Sequence, residues 1–168
     1  MGKRSIRENK NIYQISREAL ELTREGASDL MEFVTADRIE KIESEKSLPH
    51  PDEILAMAKA YKAPILCNYF CSHECPIGQE HVTELELKDL PQITLEVLAS
   101  LNAMDKAKNR LIEITADGQI SPDEYPDFSN IQNQLSQIST AVDSLKLWVE
   151  KTIADGKIDK AALDEAGQ

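Results

Sequence analysis

The stretch CNYFCSHEC places Cys67, Cys71 and Cys75 at steps of four, with His73 between them. On a continuous helix side chains four apart lie one above another, so the three sulfurs would share a stripe. Thiolates at that spacing, joined by an imidazole, can form a tetrahedral zinc site, here Cys67, Cys71, His73 and Cys75. Structural zinc sites usually take two closely spaced ligand pairs from separate elements. A free cysteine is also among the most often buried residues and behaves as a small apolar group. Both uses fit the spacing; the expectation adopted is neutral or core thiols, no metal and no cofactor. An odd number of cysteines within nine residues is no disulfide framework, which points to a reducing cytoplasm.

Carboxylates raise a second possibility. EITADGQISPDE fits parts of a calcium loop, with Glu113, Thr115 and Asp117 at positions one, three and five, Gly118 at six and Glu124 at twelve. Position one is normally Asp, Thr is a poor ligand, and Pro122 crowds the loop. A second ADG, at 154–156, brings Ala162 to position twelve. The competing reading is a helix C-cap, with Gly118 and Gly156 left-handed and Ser121 capping the next turn. That reading is adopted. No Ser-His-Asp, HExxH or GxGxxG pattern is present, so no catalysis is expected.

These residues sit in a chain that reads almost entirely as helix. Its 168 residues, 41% of them apolar, are enough for a real core in one domain or two small ones. No run of 18 apolar residues spans a membrane, and the charged start MGKRSIRENK lacks the apolar segment of a secretory signal. Five short helices are predicted before Pro76. The first buries Ile12, Ile15, Ala19 and Leu22; the second, capped by Thr23, buries Ala27, Leu30 and Met31. Thr35 caps a third that buries Ile39 and Ile42. Pro49 and Pro51 break the helix before a fourth with Ile54, Leu55, Met57, Ala58 and Tyr61. The fifth carries the cysteines. Residues 79–91 read as a linker. Two long helices follow, near 92–115 and 127–153. The first carries Val97, Leu101, Met104 and Leu111. The second carries Ile131, Leu135, Ile138, Val142, Leu145 and Val149, at alternating steps of four and three. A short turn makes them antiparallel neighbours, with a final helix around 159–165.

The predicted helices of residues 11–78 resemble the XRE-type, Cro- and lambda-repressor-like helix-turn-helix regulators, in a clostridial variant with an uncharacterised helical C-terminal region. LTREGASDLMEF resembles that family's second helix, VTADRIEKIESEK its third, SLPHPDEILAMAKAY its loop and fourth helix, APILCNYF its fifth and CPIG its exit. Here the turn between helices two and three departs from the family, since Glu32 and Phe33 replace a shorter, glycine-containing turn. The resemblance implies a five-helix lambda-repressor-like domain over 11–78; with the basic tail at 1–10 and the antiparallel helical hairpin that the apolar spacing predicts within 92–168, the expectation is an all-α fold. It also implies a cytoplasmic, non-catalytic transcriptional regulator that binds double-stranded DNA with the helix at 35–46. The side chains implied at the DNA are Arg24, Thr35, Ala36, Asp37, Arg38, Lys41, Ser44 and Lys46. Arg38 and Lys41 would meet guanine or phosphate, Ser44 phosphate and Asp37 cytosine, with Lys3, Arg4, Arg7 and Lys10 as a groove-following arm.

Charge pulls the other way. The net charge is −11, and TADRIEKIESEK holds four acids against three bases. An acidic chain repels a polyanion at long range, so DNA contact needs a local basic surface. The alternative is an acidic protein-interaction adaptor on the same fold, with a protein partner and no DNA. In either case the C-terminal helices are expected to make a homodimer, with the 131–149 stripe and Trp148 at the seam.

Overall fold

The computed structural model describes residues 10–167. Among them every regular element is helical: α1 Ile12–Ala19, α2 Arg24–Asp29, α3 Ala36–Glu43, α4 Pro51–Ala60, α5 Ile65–Tyr69, α6 Pro76–His81, α7 Leu90–Thr115, α8 Tyr125–Ala154 and α9 Lys160–Ala166. A π-helical turn, Phe70–Glu74, continues α5. The chain is all-α, and no helix among the described residues is long and apolar enough to cross a membrane. Lys3, Arg4 and Arg7 of the expected arm lie outside the described residues. Contacts divide the chain into two compact units, residues 10–84 with 150–167, and residues 85–149. The end of α8 thus belongs with the first unit, where the Lys151 ammonium donates to the Lys62 carbonyl at 3.2 Å.

The short helices begin where side chains can take orphan backbone N–H groups. Asn11 accepts from Gln14, Thr23 from Gly26, and Thr35 from Arg38. Pro51 opens α4, and the Glu53 carboxylate returns to accept from the His50 N–H at 2.7 Å. The helices stop where the chain turns left-handed: Glu21, Glu45 and Lys62 have φ near +55°. These bounds are tight because the helices are too short to hold without packing.

Tyr13, Ala27, Met31, Val34, Ile39, Ile42, Ile54, Met57, Tyr61, Leu66 and Phe70 build the core of the first unit. Four apolar residues expected inside are exposed instead: Ile15, Ala19, Leu30 and Leu55. In α1 the inward face is Tyr13, Gln14 and Arg17, one position round from the apolar pattern. α2 ends at Asp29, so Leu30 leaves the helix while Met31 and Val34 turn in. The predicted linker is partly wrong too, because Pro76 starts α6 rather than ending all helix.

In the second unit Ile93, Ser100 and Ile114 are the buried residues of α7, and Ile131, Ala141, Ser144 and Leu147 those of α8. The apolar stripe expected at 131–149 is therefore rotated by about one residue, and Leu135, Val142 and Leu145 line its exposed edge. The two helices run in opposite directions where they meet: Ala103, Ala107 and Arg110 face Gln134, Ile131 and Asp127 across a cleft of about 320 Å³. Arg110 Nε and the Asp127 carboxylate close one end at 2.7 Å.

The ADG turns are helix ends. Gly118 and Gly156 are left-handed, at φ +74° and +73°. Asp117 accepts from the Gln119 N–H and Glu124 from the Ser121 N–H and hydroxyl, so both carboxylates serve the local turn.

Of the glycines among the described residues, Gly78 has the least room for a side chain. A Cβ there would stand 2.0 Å from the Cys71 carbonyl oxygen, and neither partner is a side chain that can swing away. Gly78→Ala must part α6 from the π-turn and should cost about 1–3 kcal/mol, the usual scale for overpacking. At Gly26 a Cβ would meet only the Thr23 hydroxyl, at 3.3 Å. In thermal melts Gly78→Ala should fall well below both wild type and Gly26→Ala; equal melting of the two variants would refute this close contact.

Candidate functional site

α3 is the element expected to read a ligand, and two ion-pair networks set where its side chains go. At its last turn Glu43 is buried, with its side chain 1% exposed. Arg17 of α1 donates to it through Nε at 2.5 Å and Nη2 at 2.9 Å, and through Nη1 to the Leu22 carbonyl at 2.5 Å. Arg24, at the start of α2, donates to the same carboxylate at 2.8 Å. At the first turn of α3, Arg38 makes a two-pronged pair with Glu53 of α4, at 2.6 and 2.7 Å. It also donates to the Ser47 hydroxyl and the Leu48 carbonyl, at 2.7 and 2.9 Å. The Arg38 guanidinium, first among several influences, holds the Glu53 carboxyl below its ordinary value against the opposing effect of burial.

The residues implied at the DNA therefore divide. Arg24 and Arg38 are engaged within the unit by carboxylates. The Lys46 ammonium pairs with Glu40 at 3.0 Å. Lys10, the one described member of the basic arm, pairs with Glu18 at 2.6 Å. Thr35 caps α3 with its hydroxyl, and Ser44 ends the helix, its hydroxyl directed at the Lys41 carbonyl. Ala36 is half-buried, while Asp37 and Lys41 are exposed. Among the described residues Lys41 has no ion-pair partner. The outer face of α3 is thus polar, close to neutral, and fixed at both ends.

Behind α1 lies an aromatic group that the sequence reading missed. The Tyr13 hydroxyl donates to Glu74 at 2.9 Å, and its ring meets Tyr69 edge-on at 6.0 Å. Tyr69 in turn stacks on His73 at 4.3 Å. His73 Nδ1 lies 2.9 Å from the Ser72 hydroxyl, and Nε2 lies 3.3 Å from Glu84. Burial raises the Glu74 carboxyl, with the Tyr13 hydrogen bond acting against it. His73 is thus occupied by neighbours of its own turn and by Glu84.

The cysteines are half-buried and pack against the core. Burial pushes the Cys67 thiol up, away from the thiolate that a metal or an electrophile would need. Among the described residues no three or more His, Cys, Asp or Glu side chains are arranged to hold a metal ion.

Compared with protein-family models, curated proteins and solved structures, the chain matches none. Its functional reading therefore rests on its own residues. Two signals could have found the buried networks. Glu43 follows directly on Ile42, and Arg17 falls within a helix whose apolar spacing is imperfect, so each charge sat where a core face had to pass. They stand 26 positions apart in the chain, a separation that no local pattern reports.

A surface arginine at a DNA contact could be removed without harm to the fold; the contacts of Arg38 predict otherwise. Arg38→Ala should cost about 1–3 kcal/mol, because charge-assisted hydrogen bonds are lost and Glu53 is left without its cation. The pH dependence has a definite sign. A depressed carboxyl binds fewer protons folded than unfolded, so its contribution is complete above the unfolded value and falls as acid is added. Glu53→Gln should flatten stability against pH below about 4.3, the ordinary glutamate value. Urea titrations from neutral pH to pH 3 test this; an unchanged slope would remove Glu53 from the acid response.

Proposed function

We propose that the chain is a DNA-binding regulator of the XRE-type helix-turn-helix kind, with a lambda-repressor-like five-helix domain over 11–78 and an antiparallel helical hairpin in its C-terminal region. The observation that carries this reading is α3 itself. It is a helix held at both ends by ion pairs, with a polar outer face and every large apolar side chain turned inward. A rigid polar helix of this kind suits groove reading, because its side chains lose little freedom on contact. The contacting set becomes Thr35, Ala36, Asp37, Lys41 and Ser44, with Lys41 as the phosphate or guanine contact. Arg24, Arg38 and Lys46 support α3 from within the unit. The protein is read as cytoplasmic and non-catalytic, acting as a homodimer through its C-terminal helices so that two weak half-sites add.

A second reading has its own observation. Two arginines and two lysines that would favour a polyanion are paired with carboxylates, on a chain of net charge −11. That distribution suits an adaptor that docks on another protein and does not bind DNA.

Salt separates the two. Each phosphate neutralised on duplex DNA contributes about −0.9 to the slope of log affinity against log salt. The full chain should bind random-sequence duplex DNA at low salt with a negative slope, and Lys41→Ala should weaken it and reduce the slope by about one. Lack of retention on duplex DNA at low salt would favour the adaptor. Binding unaltered by Lys41→Ala would move the contact off α3.

A further inference from the structure

α7 carries two stripes where a helix packed against one partner needs one. The inward stripe, Ile93, Val97, Ser100, Met104, Ala107, Leu111 and Ile114, is buried or half-buried. One residue further on, a second series follows the same steps of three and four: Leu98, Leu101, Asp105, Lys108 and Ile112. Leu98, Leu101 and Ile112 are 53%, 51% and 66% exposed. Thr94 and Thr115 lie at its ends. Their hydroxyls return to the carbonyls of Leu90 and Leu111, at 2.8 Å each, which leaves methyl groups as their outward part. A sustained three-four spacing is the seam pattern of a helix with a helical partner.

The order of residues along this second stripe says which partner. About a centre between Lys106 and Ala107 it is self-complementary: Asp105 mirrors Lys108, Leu101 mirrors Ile112, and Leu98 mirrors Thr115. Asp105 and Lys108 are 72% and 58% exposed. Running two copies of α7 antiparallel about a two-fold axis at that centre places each aspartate beside the other copy's lysine, with apolar pairs on both sides. A parallel pairing would instead set Asp105 against Asp105. We infer that the exposed stripe of α7 is the homodimer seam, that the occupant is α7 of a second copy of this chain, and that the Asp105–Lys108 pair fixes its antiparallel register.

This rests on the homodimer proposed above and moves its contact from the α8 stripe to α7. Polar groups at seam positions select register and orientation because misaligned pairings leave them unmatched. The intrahelical contact between Lys108 and Asp105, 2.7 Å, keeps both groups on the same side and leaves each free to make a second contact.

The test uses full-length chains and sedimentation equilibrium. Wild type should be a dimer, and Asp105→Lys and Lys108→Asp should each weaken dimerisation about tenfold or more, since two symmetric pairs become repulsive. An equimolar mixture of the two single variants should regain wild-type association as a heterodimer. One copy then presents two ammonium groups at the seam and the other two carboxylates, so both cross-copy pairs are attractive again. Loss of the intrahelical pair cannot produce that recovery, and circular dichroism checks that each variant is helical. A mixture no better than its components would overturn the antiparallel register. Single variants that dimerise like wild type would place the dimer elsewhere and leave the homodimer reading standing. A wild-type chain that is monomeric at tens of micromolar would remove both.

Discussion

The Glu43 carboxylate, held by Arg17 and Arg24, is the constraint on which the first unit depends. An isolated carboxylate in an apolar core would be driven to take up a proton, since burial without a partner costs several kcal/mol. Here its two oxygens accept three hydrogen bonds, two from Arg17 and one from Arg24. The third Arg17 nitrogen, Nη1, donates to the Leu22 carbonyl, where the chain leaves α1 for α2. One ion thus ties α1, the α1–α2 connection, the first turn of α2 and the last turn of α3. The helices it joins contain six to eight residues, too few to hold a shape alone. An apolar replacement for all three charges could match the pair in energy. It would not specify one angle between α1 and α3, which the two-pronged geometry does.

That solution shapes the surface as well. An arginine used for the core is removed from the field a partner meets. Arg38 repeats the arrangement at the opposite end of α3, where Glu53 holds it and also closes the first turn of α4. α3 is therefore held in place by Arg17, Arg24 and Arg38, and because these three cations are engaged by carboxylates its outer face keeps only Lys41 as an unpaired cation among the described residues. Rigidity and attraction to a polyanion compete for the same residues. Of the four acids and three bases of residues 35–46, Glu43, Arg38, Glu40 and Lys46 are engaged in ion pairs within the unit.

Legibility in the sequence followed the range of the interaction. Caps are local, so Thr23 and Thr35 could be read as helix starts, and the Asp-Gly turns as helix ends. Ala27, Met31, Ile39, Ile42, Ile54 and Met57 were readable as core because apolar residues at helical spacing have few other uses. Ile15, Leu30 and Leu55 misled for the complementary reason: each continues an apolar pattern one position beyond the face that packing selects. In α8 the expected stripe and the buried one differ by one step, because an apolar band wider than the contact allows more than one seam. The Arg17–Glu43 and Arg38–Glu53 pairs were hidden. A charge in sequence looks the same whether solvated or buried, and its partner lies 26 or 15 residues away. For this reason the surface of α3 was the least legible part of the candidate site.

The second unit shows what happens when a seam is built from small and polar residues. Ala103, Ala107 and Ser100 on α7, with Ala141 and Ser144 on α8, give up most of the area that Leu or Ile would bury at the same positions. A cleft remains between the helices, and the Gln134 side-chain oxygen is buried there with no hydrogen-bond partner among the described residues. A void forfeits dispersion contacts, and an unmatched polar atom adds its own desolvation cost. Ile93, Val97, Met104, Leu111 and Ile114 fill the inward stripe of α7, while Leu98, Leu101 and Ile112 stand exposed on the other. The exposed stripe is the surface on which the proposed self-association would rest, while the inward stripe holds the two helices together.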